Sequence, residues 1–352
     1  MLHRHFFIFT GEIQFVMKRA AGIKVSKKDA ETARRILKDQ GLLMPLKARQ
    51  NGESIIFPAE NPCLSLGSIS FEIVEADFHE FSGPDEFDVL QRRLGCKISS
   101  YDVTGDLAVL EIPLDFEAHE TGLAEALLAS KKNLKAVFKK SSSVEGAQRV
   151  RKITWLAGEK RTVTVHREHG CQFKLDIAQV FFSPRLSFER QRILGQVRDG
   201  EAIVDMFAGV GPYSIVIAKH RDVRILGIDI NEPAVQFFKE NIRINKVSDR
   251  VQAVFGDCRT YSPKKSADRV IMNLPKGAKD FYPTALETLK SGGGIIHHYG
   301  VSPRERLYEA EIDFILNTAA EQGRSAEIIG RRIVRSYSPS EVHVAIDVEV
   351  GM

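Results

Sequence analysis

The segment Ile203 to Tyr213, IVDMFAGVGPY, runs an apolar stretch ending in Asp205 into a turn whose small residues are Ala208, Gly209 and Gly211. Twenty-four residues after Asp205, RILGIDI delivers Asp229 and Ile230 ahead of Asn231 and Pro233, which read as the opening of a helix. A third short apolar run, AVFGDC, presents Asp257 beside Cys258, and a fourth, DRVIMNLPKGA, presents Asn273, Leu274 and Pro275. In an open parallel α/β sheet, ligands sit beyond the carboxyl ends of the strands near the topological switch point. Four apolar runs in order, each ending in a polar group, therefore predict one pocket. Taken singly, the glycine pair could serve only as a positive-φ turn and each acid only as a turn former.

The chemistry of that pocket is narrowed by what is missing. A dinucleotide site wants G-x-G-x-x-G to bring backbone against a pyrophosphate at a helix N-terminus, whereas AGVG is followed by Pro212 with no third glycine in step. The turn instead resembles the first motif of S-adenosylmethionine-dependent methyltransferases, whose cofactor carries an amino acid and an adenosine without phosphate. That resemblance implies Asp229 on the ribose hydroxyls, Asp257 on the adenine amino group and Asn273 beside the methyl-sulfonium.

The elements that must hold these groups read as an α/β chain with a Rossmann-like sheet at about 171–352. Two strand-like runs, RRIVRSYSP and VHVAIDVEV, are expected to give that sheet an antiparallel edge. Two smaller mixed α/β domains precede it. The first, 17–75, has the strand MKRAAGIKV, a helix in KKDAETARRILKDQ with Ser26 and Asp29 at its start and Gly41 at its stop, and the strand ESIIFPA, a βαβ-like piece. The acidic, Gly-Pro-containing stretch 76–86 reads as a linker. The second, 87–170, has a hairpin in SYDVTGDLAVLEI turning at Thr104-Gly105, the helix ETGLAEALLASKKNL, and the strands KAVFKK, ITWLAG and TVTVHREHG. Residues 1–16 fit no element, and Met17 is a candidate start.

With 43% hydrophobic residues over 352 positions, packed cores are expected rather than disorder. No apolar run approaches the roughly 20 residues that cross a bilayer, and FFIF near the N-terminus is too short for a signal segment, so the expected location is cytoplasmic, away from membranes. Cys63, Cys96, Cys171 and Cys258 are widely spaced without zinc-ligand partners, so no metal is expected and each reads as a small buried hydrophobe. A disulfide stays open for a hyperthermophilic source. The net charge of +4 is uneven: residues 131–200 hold 16 Lys or Arg against 6 Asp or Glu, leaving the remainder net acidic. That concentration suits a polyanionic partner, although a solvated charged face would look the same.

VEGAQRVRK, FSPRLSFERQRI, DMFAGVGPY, GIDIN, MNLPKGA and IIHHYG together resemble the archaeal and eukaryotic tRNA (guanine-N1)-methyltransferases that act at position 37, just 3′ of the anticodon. The resemblance spans about 18–350. It implies a three-domain monomer in which the N-terminal module meets the tRNA elbow and the other domains hold the anticodon loop around S-adenosyl-L-methionine. By motif it places catalysis on Glu189, Arg149 and Asn273. The cofactor falls to Arg185, Arg190, Phe207, Ala208, Gly209, Gly211, Asp229, Ile230, Asp257, Cys258, Asn273, Leu274 and Pro275. Lys276 and the sixteen-residue extension are departures from the pattern.

Guanine N1 must lose a proton to give a neutral methylated product, which asks for a base, here Glu189, and for a donor near O6, here Arg149 with Asn273. Glu189 could equally be an exposed helical acid paired with Arg190 or Arg192, and Arg149 a phosphate contact. Tyr213 or Phe182 could receive an unstacked base, or pack in the core. NLPK has no aromatic after the proline, which disfavours an exocyclic amine target, and no cysteine nucleophile for pyrimidine C5. Three alternatives remain: a transferase of the aminocarboxypropyl group in the wybutosine pathway, a methyltransferase that also accepts a tricyclic guanosine derivative, and a non-catalytic tRNA-binding protein.

Overall fold

The computed structural model describes residues 17–44, 46, 48–59, 66–67, 69–79, 86–98, 101–141 and 152–352. The chain divides into two compact units, Met1–Asp85 and Glu86–Met352.

In the first unit, β1 (Met17–Ser26), α1 (Ala30–Asp39), β2 (Arg49–Asn51), β3 (Ser54–Pro58) and β4 (Phe71–His79) form a sheet in the order β2-β3-β1-β4. Ala33 and Leu37 of α1 are buried, in one cluster with Ile23, Val25 and Phe57. The helix stops at Gly41, whose φ of +68° needs no Cβ accommodation. Two expectations change. β1 pairs antiparallel with both β3 and β4, so the piece is no parallel βαβ unit. Residues 76–79, read as linker, continue β4, whose acids meet bases of β1 on both faces of the pair, Glu75 accepting from Arg19 at 3.0 Å and Glu72 from Lys24 at 2.7 Å.

The second unit begins with α2 (Glu86–Leu94), then β5 (Tyr101–Thr104) and β6 (Leu107–Leu110), a hairpin whose turn uses Gly105 at φ +59°. After α3 (Glu120–Ser130) come β7 (Ala136–Lys140) and β8 (Ile153–Gly158), completing the sheet β5-β6-β7-β8. β9 (Val163–Glu168) and β10 (Cys171–Asp176) form a two-stranded ribbon.

There follow α4 (Ser187–Leu194), β11 (Ala202–Asp205), α5 (Pro212–His220), β12 (Arg224–Asp229), α6 (Glu232–Asn245), β13 (Val251–Phe255), α7 (Cys258–Tyr261), β14 (Arg269–Met272), α8 (Tyr282–Thr288), β15 (Gly294–Pro303), α9 (Glu309–Glu321), β16 (Ala326–Ser336) and β17 (Glu341–Val350). The seven-stranded sheet runs β13-β12-β11-β14-β15-β17-β16. Its first five strands are parallel, and β17 and β16 close it antiparallel. The order reverses between β11 and β14, so the switch point lies at their carboxyl ends. Separate apolar clusters lie around Phe238 and Ile217 and around Met272 and Leu286, the two-faced burial that parallel strands require.

The charge asymmetry has a structural explanation. Within 131–200, Lys139 pairs with Glu120 and Glu117, Lys140 with Glu111, Arg161 with Asp106, and Lys174 with Glu240. Part of that basic stretch is therefore matched to acids from the rest of the chain. Cys96, Cys171 and Cys258 are free and buried, and burial pushes the Cys258 thiol up to about 12; Cys63 lies outside the described residues.

Candidate active site at the switch point

At the end of β11 the chain turns on Gly209 and Gly211, at φ +56° and +85°. Gly211 caps α5, and Pro212 at its first turn removes one of the N–H groups a phosphate would need. The turn is anchored to the next strand at two points: Ala208 N–H donates to Ile228 O at 2.9 Å, and Gly209 N–H to Asp229 Oδ2 at 2.6 Å. Asp229 Oδ1 accepts Asn231 N–H at 2.8 Å, so backbone donors fix the plane of the carboxylate. Ile230, just beyond, is 46% exposed. The sequence thus places an oriented acid, a compact turn and an accessible apolar side chain at one edge.

Below the turn, Asp205 is fully buried and accepts from Ser214 Oγ at 2.8 Å. Burial pushes its pKa up to about 7 against the Ser214 hydrogen bond, and the charge on Asp229 adds to the rise.

Asp257 caps α7, accepting Arg259 N–H at 2.9 Å. The Arg259 guanidinium also forks onto the carboxylate and holds its pKa down. That guanidinium lies 4.8 Å from the Phe281 ring, which meets Phe207 edge-on at 5.1 Å. At the end of β14, Leu274 N–H bonds back to Met272 O at 2.9 Å, Pro275 is buried, and Asn273 Oδ1 is buried without a hydrogen-bond partner.

Glu189, in the first turn of α4, is 2% exposed. Its Oε2 accepts from Tyr299 Oη at 3.0 Å and Arg192 Nε at 2.9 Å. Its Oε1 lies 3.1 Å from Arg332 Nε, too poorly aligned for a hydrogen bond. Tyr299 Oη in turn receives Tyr213 Oη at 3.3 Å, from the helix that follows the glycine turn. Met272 pairs with His298 in the β14–β15 register. β14 ends at Met272, so Asn273 stands in the turn just past that strand, while Tyr299 continues β15 beyond His298.

Arg190 is buried in an ion pair with Glu168, donates to Ser183 O at 3.2 Å, and lies against Phe182 and Tyr213. Arg185 donates to Asp102 at 2.6 Å and is nearly half exposed. Both guanidiniums thus engage the protein's own acids. Arg149 lies outside the described residues. Tyr213, buried beneath the turn, packs in the core. Sequence patterning named Arg192 only as the partner of an exposed Glu189, whereas that acid is buried, and it missed Tyr299, Arg332 and Asp347, although polar residues inside the otherwise apolar IIHHYG and VHVAIDVEV were a usable signal.

The TRM5/TYW2 methyltransferase domain model matches residues 164–329, and the TYW2 N-terminal domain model matches 89–162. The tRNA (guanine(37)-N(1))-methyltransferase Trm5b of Pyrococcus abyssi is 37% identical over 335 residues, covering 94% of this chain and 98% of the relative. A solved complex of aTrm5 with tRNALeu superposes with a TM-score of 0.69 at 35% identity, covering 93% and 99%. The tRNA(Phe) (4-demethylwyosine(37)-C(7)) aminocarboxypropyltransferase of Pyrococcus horikoshii is 32% identical but covers only 70% of this chain and 87% of the relative. An oriented acid beside a glycine turn at the switch point, together with similarity that runs almost the full length of both chains, establishes that this protein belongs to the TRM5/TYW2 methyltransferase family.

Proposed function

We propose that the protein methylates N1 of the guanosine at position 37 of tRNA, using S-adenosyl-L-methionine. The observation that carries this reading is the extent of the similarity: it includes the first unit and nearly all of the guanosine-37 methyltransferase of Pyrococcus abyssi.

The residues at this strand edge suit the cofactor's parts. Asp229 is oriented for vicinal hydroxyls, Ile230 and the Phe207–Phe281 pair offer apolar surface for a flat base, and Asp257 offers an acceptor to an amino group. Asn273 Oδ1 is a buried acceptor that a ligand donor would complete. S-adenosylmethionine supplies an electrophilic methyl carbon when bound there. The chain's own task is to deprotonate and hold the base. Glu189 Oε2 is fixed by Tyr299 and Arg192, leaving Oε1 as the oxygen that takes the N1 proton. Positioned proton transfer of this kind contributes about 10²- to 10⁴-fold. Arg149 and Asn273 would oppose the charge that develops on O6, and an anticodon-loop base is the least costly to unstack. The first unit would meet the tRNA away from that loop, with the protein acting as a cytoplasmic monomer.

The match of 89–162 to the TYW2 N-terminal domain keeps a second reading in play, transfer of the aminocarboxypropyl group. One assay separates them: unmodified tRNA and tRNA carrying 4-demethylwyosine at position 37 are each incubated with cofactor labelled in its methyl group, and the nucleosides and cofactor products are analysed by mass spectrometry. Label recovered in 1-methylguanosine supports the proposal; label left in methylthioadenosine overturns it in favour of the second reading.

A further inference from the structure

Phe188 opens α4 beside Glu189, yet the two face opposite conditions: Phe188 is 64% exposed, Glu189 2%. The guanidinium of Arg332, from the edge strand β16, lies 4.7 Å from the Phe188 ring. The same arginine brings Nε within 3.1 Å of Glu189 Oε1. One side chain thus ties an exposed aromatic surface to the proposed base. Exposure of a large ring next to a buried carboxylate contributes nothing to core packing.

A second pair of the same kind stands where β16 ends. Lys276 follows Pro275 in the turn that carries Asn273, and its Nζ lies 4.8 Å from the ring of Tyr337, itself 43% exposed. Along β16, the last strand of the sheet, Arg332 shares the face of Ala345 and Arg331 the opposite face with Ile346, so Arg332 is the arginine of the pair that turns towards Phe188. The surface therefore combines flat rings, guanidinium planes and positive charge. A single-stranded nucleic acid is recognised by that combination, because unstacked bases lie on aromatic and guanidinium planes while cations meet the phosphates.

We infer that Phe188, with Arg332 against it, is a stacking platform for a nucleotide neighbouring the target guanosine in the anticodon loop. The inference rests on the tRNA reading above and deepens it by naming a surface for a base that is not methylated. A flipped target leaves its neighbours without a stacking partner, and an exposed ring beside the proposed base replaces the one they lose. Lys276, exposed in the turn after Pro275, supplies phosphate contact.

The test uses the full chain and an unmodified tRNA transcript, with binding measured over a series of salt concentrations and methyl transfer measured in parallel. Phe188→Ala is expected to weaken tRNA binding about 5- to 150-fold, the range for loss of one base–aromatic stack, while Phe188→Tyr stays near wild type. Because stacking releases no counterions, the slope of log affinity against log salt should match wild type in Phe188→Ala but become shallower by about 0.7 in Lys276→Gln. Cofactor affinity should be unchanged in each variant.

Equal tRNA affinity of wild type and Phe188→Ala overturns the platform, as does a changed salt slope in Phe188→Ala or an equal loss in Phe188→Tyr. Wild-type self-association that Phe188→Ala abolishes also overturns it, because the face then docks a second copy. If wild type binds tRNA through Phe188 but transfers no methyl group, the platform stands and the proposed reaction falls.

Discussion

Arg192 and Asp347, 155 positions apart, form a two-pronged ion pair in which NH1 meets Oδ2 and NH2 donates to Oδ1 at 3.2 Å. The Nε edge of the same guanidinium donates to Glu189. Asp347 also accepts from His297 Nδ1 at 2.6 Å and Gln196 Nε2 at 3.0 Å. Arg269, 2.7 Å away, donates to His297 Nε2, so the imidazole carries its proton on Nδ1, and burial keeps it neutral by lowering its pKa. Asp347 thereby orients the arginine that orients Glu189.

Asp347→Asn should consequently lower kcat while leaving KM for tRNA and for cofactor near wild type, as steady-state kinetics would register. Removing one of the two carboxylates that Arg192 bridges should also lower stability, with Glu189 left as its remaining partner. Burial alone would raise the Asp347 pKa, but His297 and Arg192 outweigh it and hold the carboxyl well below its usual range. A depressed pKa stabilises the fold above about pH 4, and that contribution is lost as pH falls towards the native value. Acid unfolding of Asp347→Asn should lack this component. A variant with wild-type kcat would remove the positioning role.

Asp205 has the opposite sign. Its native pKa, raised to about 7 chiefly by burial, exceeds the unfolded value, so the native state holds a proton across the interval where the unfolded chain has released it. Stability should therefore fall as pH rises from about 4 to 7, by at most about 4 kcal/mol for a shift of this size. Asp205→Asn should flatten that segment of the curve of Tm against pH. An unchanged slope would show that the carboxyl is already ionised in the folded protein.

The succession of strands with polar ends and the antiparallel edge were legible because apolar runs and their polar ends are local signals. Asp229, Asp257 and Asn273 stand at strand ends for the same reason. The acidic stretch at 76–79 misled because its partners, with those of Glu75 and Glu72 just before it, lie on β1 about fifty residues earlier. The setting of Glu189 was illegible in the same way. Arg192, Tyr299, Arg332 and Asp347 come from four elements, and no spacing on α4 distinguishes an acid fixed in the interior from one paired in solvent.

Glu189→Gln and Asp229→Ala should separate chemistry from cofactor binding. The first keeps the shape of the side chain but removes the proton acceptor, so turnover should drop by about 10²- to 10⁴-fold at unchanged cofactor affinity. The second removes the acceptor for Gly209 N–H and the proposed ribose contact. Hydrogen bonds to a charged group are worth roughly 1.5–3 kcal/mol, so cofactor affinity should fall about 10- to 150-fold. Calorimetric titration with cofactor, set beside single-turnover rates, reads both. Equal effects of both variants on both quantities would withdraw the base assignment.

The two glycines of the turn should differ in their tolerance of alanine. Both are left-handed, which costs any other residue about 1–2 kcal/mol. At Gly209 a Cβ would find its nearest neighbour, Phe181 O, at 3.7 Å, an ordinary contact. At Gly211 it would fall 2.1 Å from the ring of Phe238, a side chain with no exposure and no room to retreat. Overpacking adds about 1–3 kcal/mol, so Gly211→Ala should shift the urea midpoint well beyond Gly209→Ala. Gly209 N–H is the one bound to Asp229, so Gly209→Ala should act mainly on cofactor affinity. Equal midpoints would show that Phe238 yields, and that the turn is held by its hydrogen bonds to β12 more than by the packing beneath it.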